Sequence, residues 1–364
     1  MKAYCNGRIF TGEKFVKNAC ILVNNNKIVG IVDKNNVPSD AEVIDLKKNI
    51  IAPAFIDLQI YGGNGALFGE HPSVKALEAT YNYCLSGGAA HFMPTVATHS
   101  EKTMFDAIDA VKSYQNQGKK GVLGLHLEGP YLNAKKRGAH LKQFIREFPS
   151  LEEVEKLLNK GEGVIKMMTI APEVVSDDVI ELLQKHGVVL SLGHTNATFV
   201  EAKKAFEKGI NLATHLFNAM SAFQHREMGV VGAIYSDKNV CTSVVADGYH
   251  VDFEAIRLSK KLLNERIFLI TDAVAENKIG QYNHQLEGDK YVISDGTLSG
   301  SALTMLKAVQ NCVEKIGIPL AESLRMASLY PAKAMNLDDK LGRIEVGFEA
   351  DFAIFTEGYE LSKT

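Results

Sequence analysis

Cysteine is sparse in this chain and its placement carries no pairing signal. Cys5, Cys20, Cys84, Cys241 and Cys312 are scattered, odd in number and without a Cys-x-x-Cys pair. That argues against a disulfide framework and against a zinc ribbon, and for a reducing compartment. Long hydrophobic runs are missing too. No segment approaches the roughly 20 apolar residues that a membrane-spanning helix needs. Met1 to Phe15 has no apolar stretch long enough for a signal peptide. Neither sign of charge dominates: Lys+Arg 40 against Asp+Glu 43 leaves a net charge of −3, and there is no long basic run. A nucleic-acid footprint is thereby disfavoured, and an anionic ligand would have to be met by a local pocket. A soluble, cytoplasmic protein is expected. Two phosphate- and acyl-chemistry motifs are absent, the Gly-x-x-x-x-Gly-Lys-Ser/Thr loop and the Gly-x-Ser-x-Gly elbow. The glycine-rich segment from Tyr61 to Gly69 carries Phe68 where a dinucleotide loop needs its third glycine, so it reads as a turn.

What is present supports a large core, with 46% hydrophobic residues. The first fifty residues read as short strands: Lys2 to Cys5, Gly7 to Phe10, Ala19 to Val23 and Lys27 to Val32. The tail has the same character around Gly342-Arg343-Ile344 and Ala350 to Phe355. Between these ends, β-branched apolar runs alternate with helical patterns. Eight strand candidates are Ile50–Ile60, His91–Ala97, Val122–Leu127, Ile165–Ile170, Val188–Leu192, Asn211–His215, Cys241–Ala246 and Arg266–Ile270. Helices are expected over Ser100–Tyr114, Leu151–Asn159, Ser176–Lys185, Thr198–Lys208 and Val251–Leu263. This alternation predicts an α/β protein, a (β/α)₈ TIM-type barrel over 51–339. Residues 1–50 and 340–364 would join as one small β-sandwich domain built from both termini.

Polar clusters close several of the barrel runs, where such barrels carry their chemistry. Glu128 ends the third run, His194 the fifth, His215 the sixth, His250 the seventh and Asp272 the eighth. Each has an ordinary alternative: Glu128 as a loop cap, His194 as the neighbour of a helix cap, His215 as a satisfied core histidine, Asp272 as a rim acceptor. Together, one carboxylate and two imidazoles at neighbouring strand ends match a catalytic metal that keeps a position open for water. Asp272 is then free to move protons. His126 is in phase with Glu128 but one layer deeper, and reads as packing or outer support. Arg226, His250 and His140 are loop residues of the same rim, where an arginine can grip a phosphate. His71, His91, His99, His186 and His284 have no motif context.

The chain resembles the N-acetylglucosamine-6-phosphate deacetylases, a family of the amidohydrolase superfamily, along essentially its full length. The resemblance is carried by Gly7-Arg8-Ile9-Phe10-Thr11-Gly12, Pro53 to Asp57, Gly124 to Pro130, Gly193 to Thr198, Ala213 to Met220, Ala246 to Asp252 and Thr297 to Ser301. It implies Glu128, His194 and His215 as ligands of one divalent metal per subunit, Zn²⁺ first, with Fe²⁺, Co²⁺ or Mn²⁺ as alternatives. It implies Asp272 as acid/base and His140 as a polariser of the acetyl carbonyl. Ala139, Asn218, Ala219, Arg226, His250, Leu298, Ser299 and Gly300 would contact the sugar phosphate. Arg226 would serve the site of a neighbouring subunit, hence a homodimer, with no nucleic-acid or membrane partner. The chain departs from the superfamily at the end of the first run, where Gln59-Ile60-Tyr61 replaces a metal-binding His-x-His. A neutral amide and a protonated phenol are poor ligands. The segment Ala275 to Asp289 is short for a lid. Alternatives are the galactosamine epimer as substrate, a ring-opening amidohydrolase, or a catalytically inactive sugar-phosphate sensor.

Overall fold

A computed structural model describes residues 1–278 and 280–362, so the last two residues of the 340–364 expectation lie outside it. Eight parallel strands form the central sheet: β1 (Phe55–Ile60), β2 (Ala89–Ala97), β3 (Leu125–Glu128), β4 (Ile165–Ile170), β5 (Val189–Leu192), β6 (Leu212–Ala213), β7 (Cys241–Val244) and β8 (Ile267–Leu269). Neighbours in sequence are neighbours in space, each pair in parallel register. The ring closes where Asp272 N–H donates to Gln59 O and Tyr61 N–H to Ala273 O. This is the barrel that the alternating runs predicted. Its strands are buried because helices cover their outer face; all six residues of β1 are buried, Asp57 and Gln59 among them.

The surrounding helices begin where the sequence has hydroxyl side chains. Ser100, Ser150, Ser176 and Thr198 each cap a helix by accepting a backbone N–H three residues on. Thr198 and Glu201 complete a reciprocal capping box, and a cap of this kind contributes about 1 kcal/mol. Helix Leu151–Lys160 buries Val154, Leu157 and Leu158, the 3-and-4 spacing of a face turned to a core.

Two sheets from the chain ends form the small domain. One orders Lys27–Asp33, Ala19–Asn24, Lys2–Cys5 and Glu42–Asp45; the other orders Phe352–Phe355, Ile50–Pro53, Arg8–Phe10 and Phe15–Val16. Ile9, Ile21, Val23, Ile28, Leu46, Ile51, Ile344 and Phe348 pack as their core. The run Ile50–Ile60 is therefore two strands rather than one. Its first part pairs with Phe352–Phe355 in the small domain, and Ala54 N–H bonds Asp351 O at the break. The expectation drawn from cysteine also needs correction, since Cys5 and Cys20 form a disulfide between adjacent antiparallel strands. Two cysteines 15 apart carry no local signature; a strand pairing that only the folded sheet creates brings them together.

Candidate metal centre and its pocket

The strand ends deliver their side chains through unusual backbone. His194, His215 and Asp272 have φ of 48°, 37° and 55°. Left-handed conformations cost a non-glycine residue roughly 1–2 kcal/mol. Such strain persists where surrounding structure imposes it, and it collects at functional sites. Here the chain leaves the sheet early, so that β6 ends at Ala213 rather than His215 and the imidazole turns inward.

Glu128, His194 and His215 are buried, and one donor atom from each lies within 4.8 Å of the others. His194 Nδ1 donates to Lys136 O at 2.9 Å, which leaves the lone pair of the neutral ring on Nε2. That Nε2 stands 3.1 Å from His215 Nε2, and His215 Nε2 stands 3.0 Å from Glu128 Oε1. Two imidazole nitrogens and a carboxylate oxygen converging at this distance form a donor set that fits one divalent cation. Burial opposes ionisation of Glu128, yet His194 and His140 hold it well below the usual carboxylate range.

His140 accepts the Thr98 N–H on Nδ1 at 3.2 Å, so its proton sits on Nε2 and is given to Glu128 Oε2 at 2.9 Å. Asp272 lies against the set. Burial pushes it well above the ordinary carboxylate range, His215 offsets part of this, and Glu128, Asp247 and Asp57 reinforce it. Gln59 Nε2 donates to Asp272 Oδ1 at 2.8 Å. His250 Nε2 is 3.7 Å from Asp272 Oδ2, while its Nδ1 donates to Asp247 Oδ2 at 2.6 Å.

One pocket holds most of the residues that sequence singled out. Glu128, Ala139, His140, His194, His215, Asn218, Ala219, His250, Asp272, Leu298, Ser299 and Gly300 all line it. Arg226 does not: it is exposed in the segment 222–228, away from the pocket of its own chain. No lysine or arginine is among the described lining residues. His126 lies beneath, hydrogen-bonded to Leu58 O and Thr169 Oγ1 and touching no ligand atom, and burial lowers it to about 4. Several contributors escaped sequence reasoning. Asp247 orients His250; its signal was an aspartate three residues ahead that also caps the backbone of Tyr249 and His250. His99 and His284 line the pocket, and His99 Nε2 is buried without a partner among the described residues. Tyr282 folds over the same wall, its hydroxyl donating to Thr98 O at 2.7 Å. Nothing local in the sequence marks Tyr282 and His284, because a loop folding back brings them in, whereas His99 stands two residues past β2, a strand-end position like that of His194.

Comparison with known proteins is consistent along the chain. Residues 50–363 match the amidohydrolase family model and residues 1–51 the NagA composite domain. An N-acetylglucosamine-6-phosphate deacetylase of Haemophilus influenzae is 36% identical over 100% of this chain and 97% of its own length. A crystal structure of N-acetylglucosamine-6-phosphate deacetylase from Pasteurella multocida superposes with a TM-score of 0.95 at 38% identity, covering 99% of this chain and 96% of that one. An N-acetylgalactosamine-6-phosphate deacetylase of Escherichia coli is 32% identical over 90% of this chain and 89% of its own.

Proposed function

This chain belongs to the amidohydrolase family, and on that premise we propose that it hydrolyses the N-acetyl group of N-acetyl-D-glucosamine 6-phosphate, giving D-glucosamine 6-phosphate and acetate. The observation that carries the reading is the buried Glu128–His194–His215 set with the buried Asp272 carboxylate beside it. It lies in a chain related over its full length to a deacetylase of this specificity.

Glu128, His194 and His215 would hold a divalent cation, which we read as zinc with Fe²⁺, Co²⁺ or Mn²⁺ as alternatives, and which would supply carbonyl polarisation and a water of pKa near about 7. Asp272 takes a proton from the attacking water as the new C–O bond forms. It then returns that proton to the amide nitrogen as the C–N bond breaks, so the amine leaves neutral with acetic acid, which loses its remaining proton to solvent and becomes acetate. His140 contributes its single Nε2 proton to the oxygen of the acetyl carbonyl, which requires that the proton turn away from Glu128 Oε2. A well-placed donor of this kind is worth about 3–4 kcal/mol. Asn218, Ala219, Ala139 and the Leu298-Ser299-Gly300 loop hold the sugar, and His250, oriented by Asp247, holds its polar groups.

The phosphate calls for a cation that the described lining residues of the pocket do not supply. We assign this to Arg226 of a second copy in a homodimer. Exposed Val200, Phe223 and Met228, from segments that bracket Arg226, support a protein interface there. A sugar phosphate is an intracellular metabolite by its charge, and we place the work in the cytoplasm. The galactosamine epimer is the second reading, favoured by the 32% identical relative named for it. Acetate release from the two epimers, compared by kcat/KM, tests the assignment. Faster hydrolysis of the glucosamine epimer supports it, and preference for the galactosamine epimer overturns it.

A further inference from the structure

Gln59 and Tyr61 stand at the end of β1 between the ligand set and Asp272, and the chemistry above uses neither. Gln59 Nε2 lies 2.8 Å from Asp272 Oδ1, 2.9 Å from the Tyr61 hydroxyl and 3.0 Å from Glu128 Oε1. An amide nitrogen carries two hydrogens and can serve only two of these three acceptors. The Tyr61 hydroxyl donates to Glu128 Oε2, the oxygen that also takes the His140 proton. Glu128 Oε1 is the oxygen that faces the imidazoles, 3.0 Å from His215 Nε2 and 3.4 Å from His194 Nε2. A cation among those atoms claims Oε1. Gln59 is then left with two acceptors for its two hydrogens, Asp272 and Tyr61, and every donor in the chain of bonds has one partner.

We propose that Gln59 and Tyr61 are positioning residues forming a hydrogen-bonded bridge between the metal ligand Glu128 and the proton carrier Asp272. This rests on Glu128, His194 and His215 being the ligand set. Tyr61 donates to Oε2 and still holds it when the His140 proton turns to the acetyl carbonyl, so Glu128 presents Oε1 to the cation. Gln59 pins Asp272 Oδ1, which leaves Oδ2 for the water. The two residues share the inward face of β1, and their backbone is tied to the strand-eight end by the bonds that close the barrel. Outer partners that orient metal ligands commonly change affinity by about 10- to 100-fold.

Tyr61→Phe removes the donor and keeps the ring, which packs beside Leu67, Val274 and Tyr282, so the fold should survive. Zinc dissociation constants are measured on chelator-stripped protein by competition with a chromophoric chelator, alongside thermal unfolding of the stripped protein. The bridge predicts zinc binding weaker by about 10- to 100-fold in Tyr61→Phe with unfolding unchanged. A constant within about twofold of wild type, below that 10- to 100-fold range, overturns the bridge and leaves the ligand set standing. A wild-type protein that binds no zinc overturns both. Gln59→Leu is an independent arm. It leaves the Tyr61–Glu128 bond in place and should lower kcat at saturating zinc by about 10²-fold, the cost of a reacting group misplaced by about 1 Å. An unchanged kcat contradicts Gln59's half of the proposal.

Discussion

Replacing Asp272 by asparagine separates its proton transfer from everything else it does. The carboxylate accepts from Gln59 Nε2 at 2.8 Å on one oxygen and faces His250 Nε2 at 3.7 Å with the other. Because His250 gives its Nδ1 proton to Asp247, Nε2 of the neutral ring carries a lone pair. An asparagine can therefore keep the Gln59 bond through its carbonyl and turn its amide hydrogens toward His250, with no buried group orphaned. The folded-state pKa of Asp272 is raised by burial, so the stability tied to it is lost as pH rises through that value. Removing the charge should leave the stripped protein equally stable or more so at neutral pH. Glu128, His194 and His215 are untouched, so metal stays. What disappears is the base in one half of the reaction and the acid in the other, each worth about 10²- to 10⁴-fold. A fall in kcat of at least about 10³-fold, or about 4 kcal/mol, is expected. Metal content by mass spectrometry, thermal unfolding and acetate release together give the answer. Loss of metal would make Asp272 a ligand instead, and turnover within about tenfold of wild type, short of the usual acid/base contribution, would remove it from the mechanism.

Acid should destabilise the protein through His126. Burial lowers it from 6.5 to about 4, so the stability present above the unfolded value is lost as pH falls through the folded one. By pH 5 the loss is about 2 kcal/mol, and denaturant unfolding of His126→Gln should show a pH dependence flatter by that amount. An unaltered slope would contradict the buried neutral histidine. Arg226→Ala should raise KM by about tenfold or more, the worth of one charged hydrogen bond, with a smaller change in kcat. An unchanged KM would argue against a phosphate clamp. Sedimentation at assay concentration should give the mass of two chains, and a single chain with full activity would refute a shared site.

Much of the barrel was legible because its signals are local. Hydroxyl caps at Ser100, Ser150, Ser176 and Thr198 start helices where they stand in the sequence, and buried parallel strands announce themselves as short apolar runs. The Glu128, His194, His215 and Asp272 positions were legible for the same reason, as polar residues ending those runs. The split at Ala54 was not, since both halves of Ile50–Ile60 are apolar and only pairing with Phe352–Phe355 assigns the first half elsewhere. The Cys5–Cys20 bridge depends on strand register. Gln59 and Tyr61 could be read as the absence of two ligands, but their bonds to Asp272 and Glu128 exist only once the barrel closes. Tyr282 and His284 reach the pocket through a loop whose course no periodicity encodes, whereas His99 follows β2 and carried the strand-end signal.

The most direct test strips the protein of metal, then titrates zinc back while following acetate release from N-acetylglucosamine 6-phosphate, with His215→Ala in parallel. The account predicts no release from the stripped protein, recovery that levels off at one equivalent per chain, and no recovery in the variant. Full release without metal, or recovery in His215→Ala equal to wild type, would contradict it.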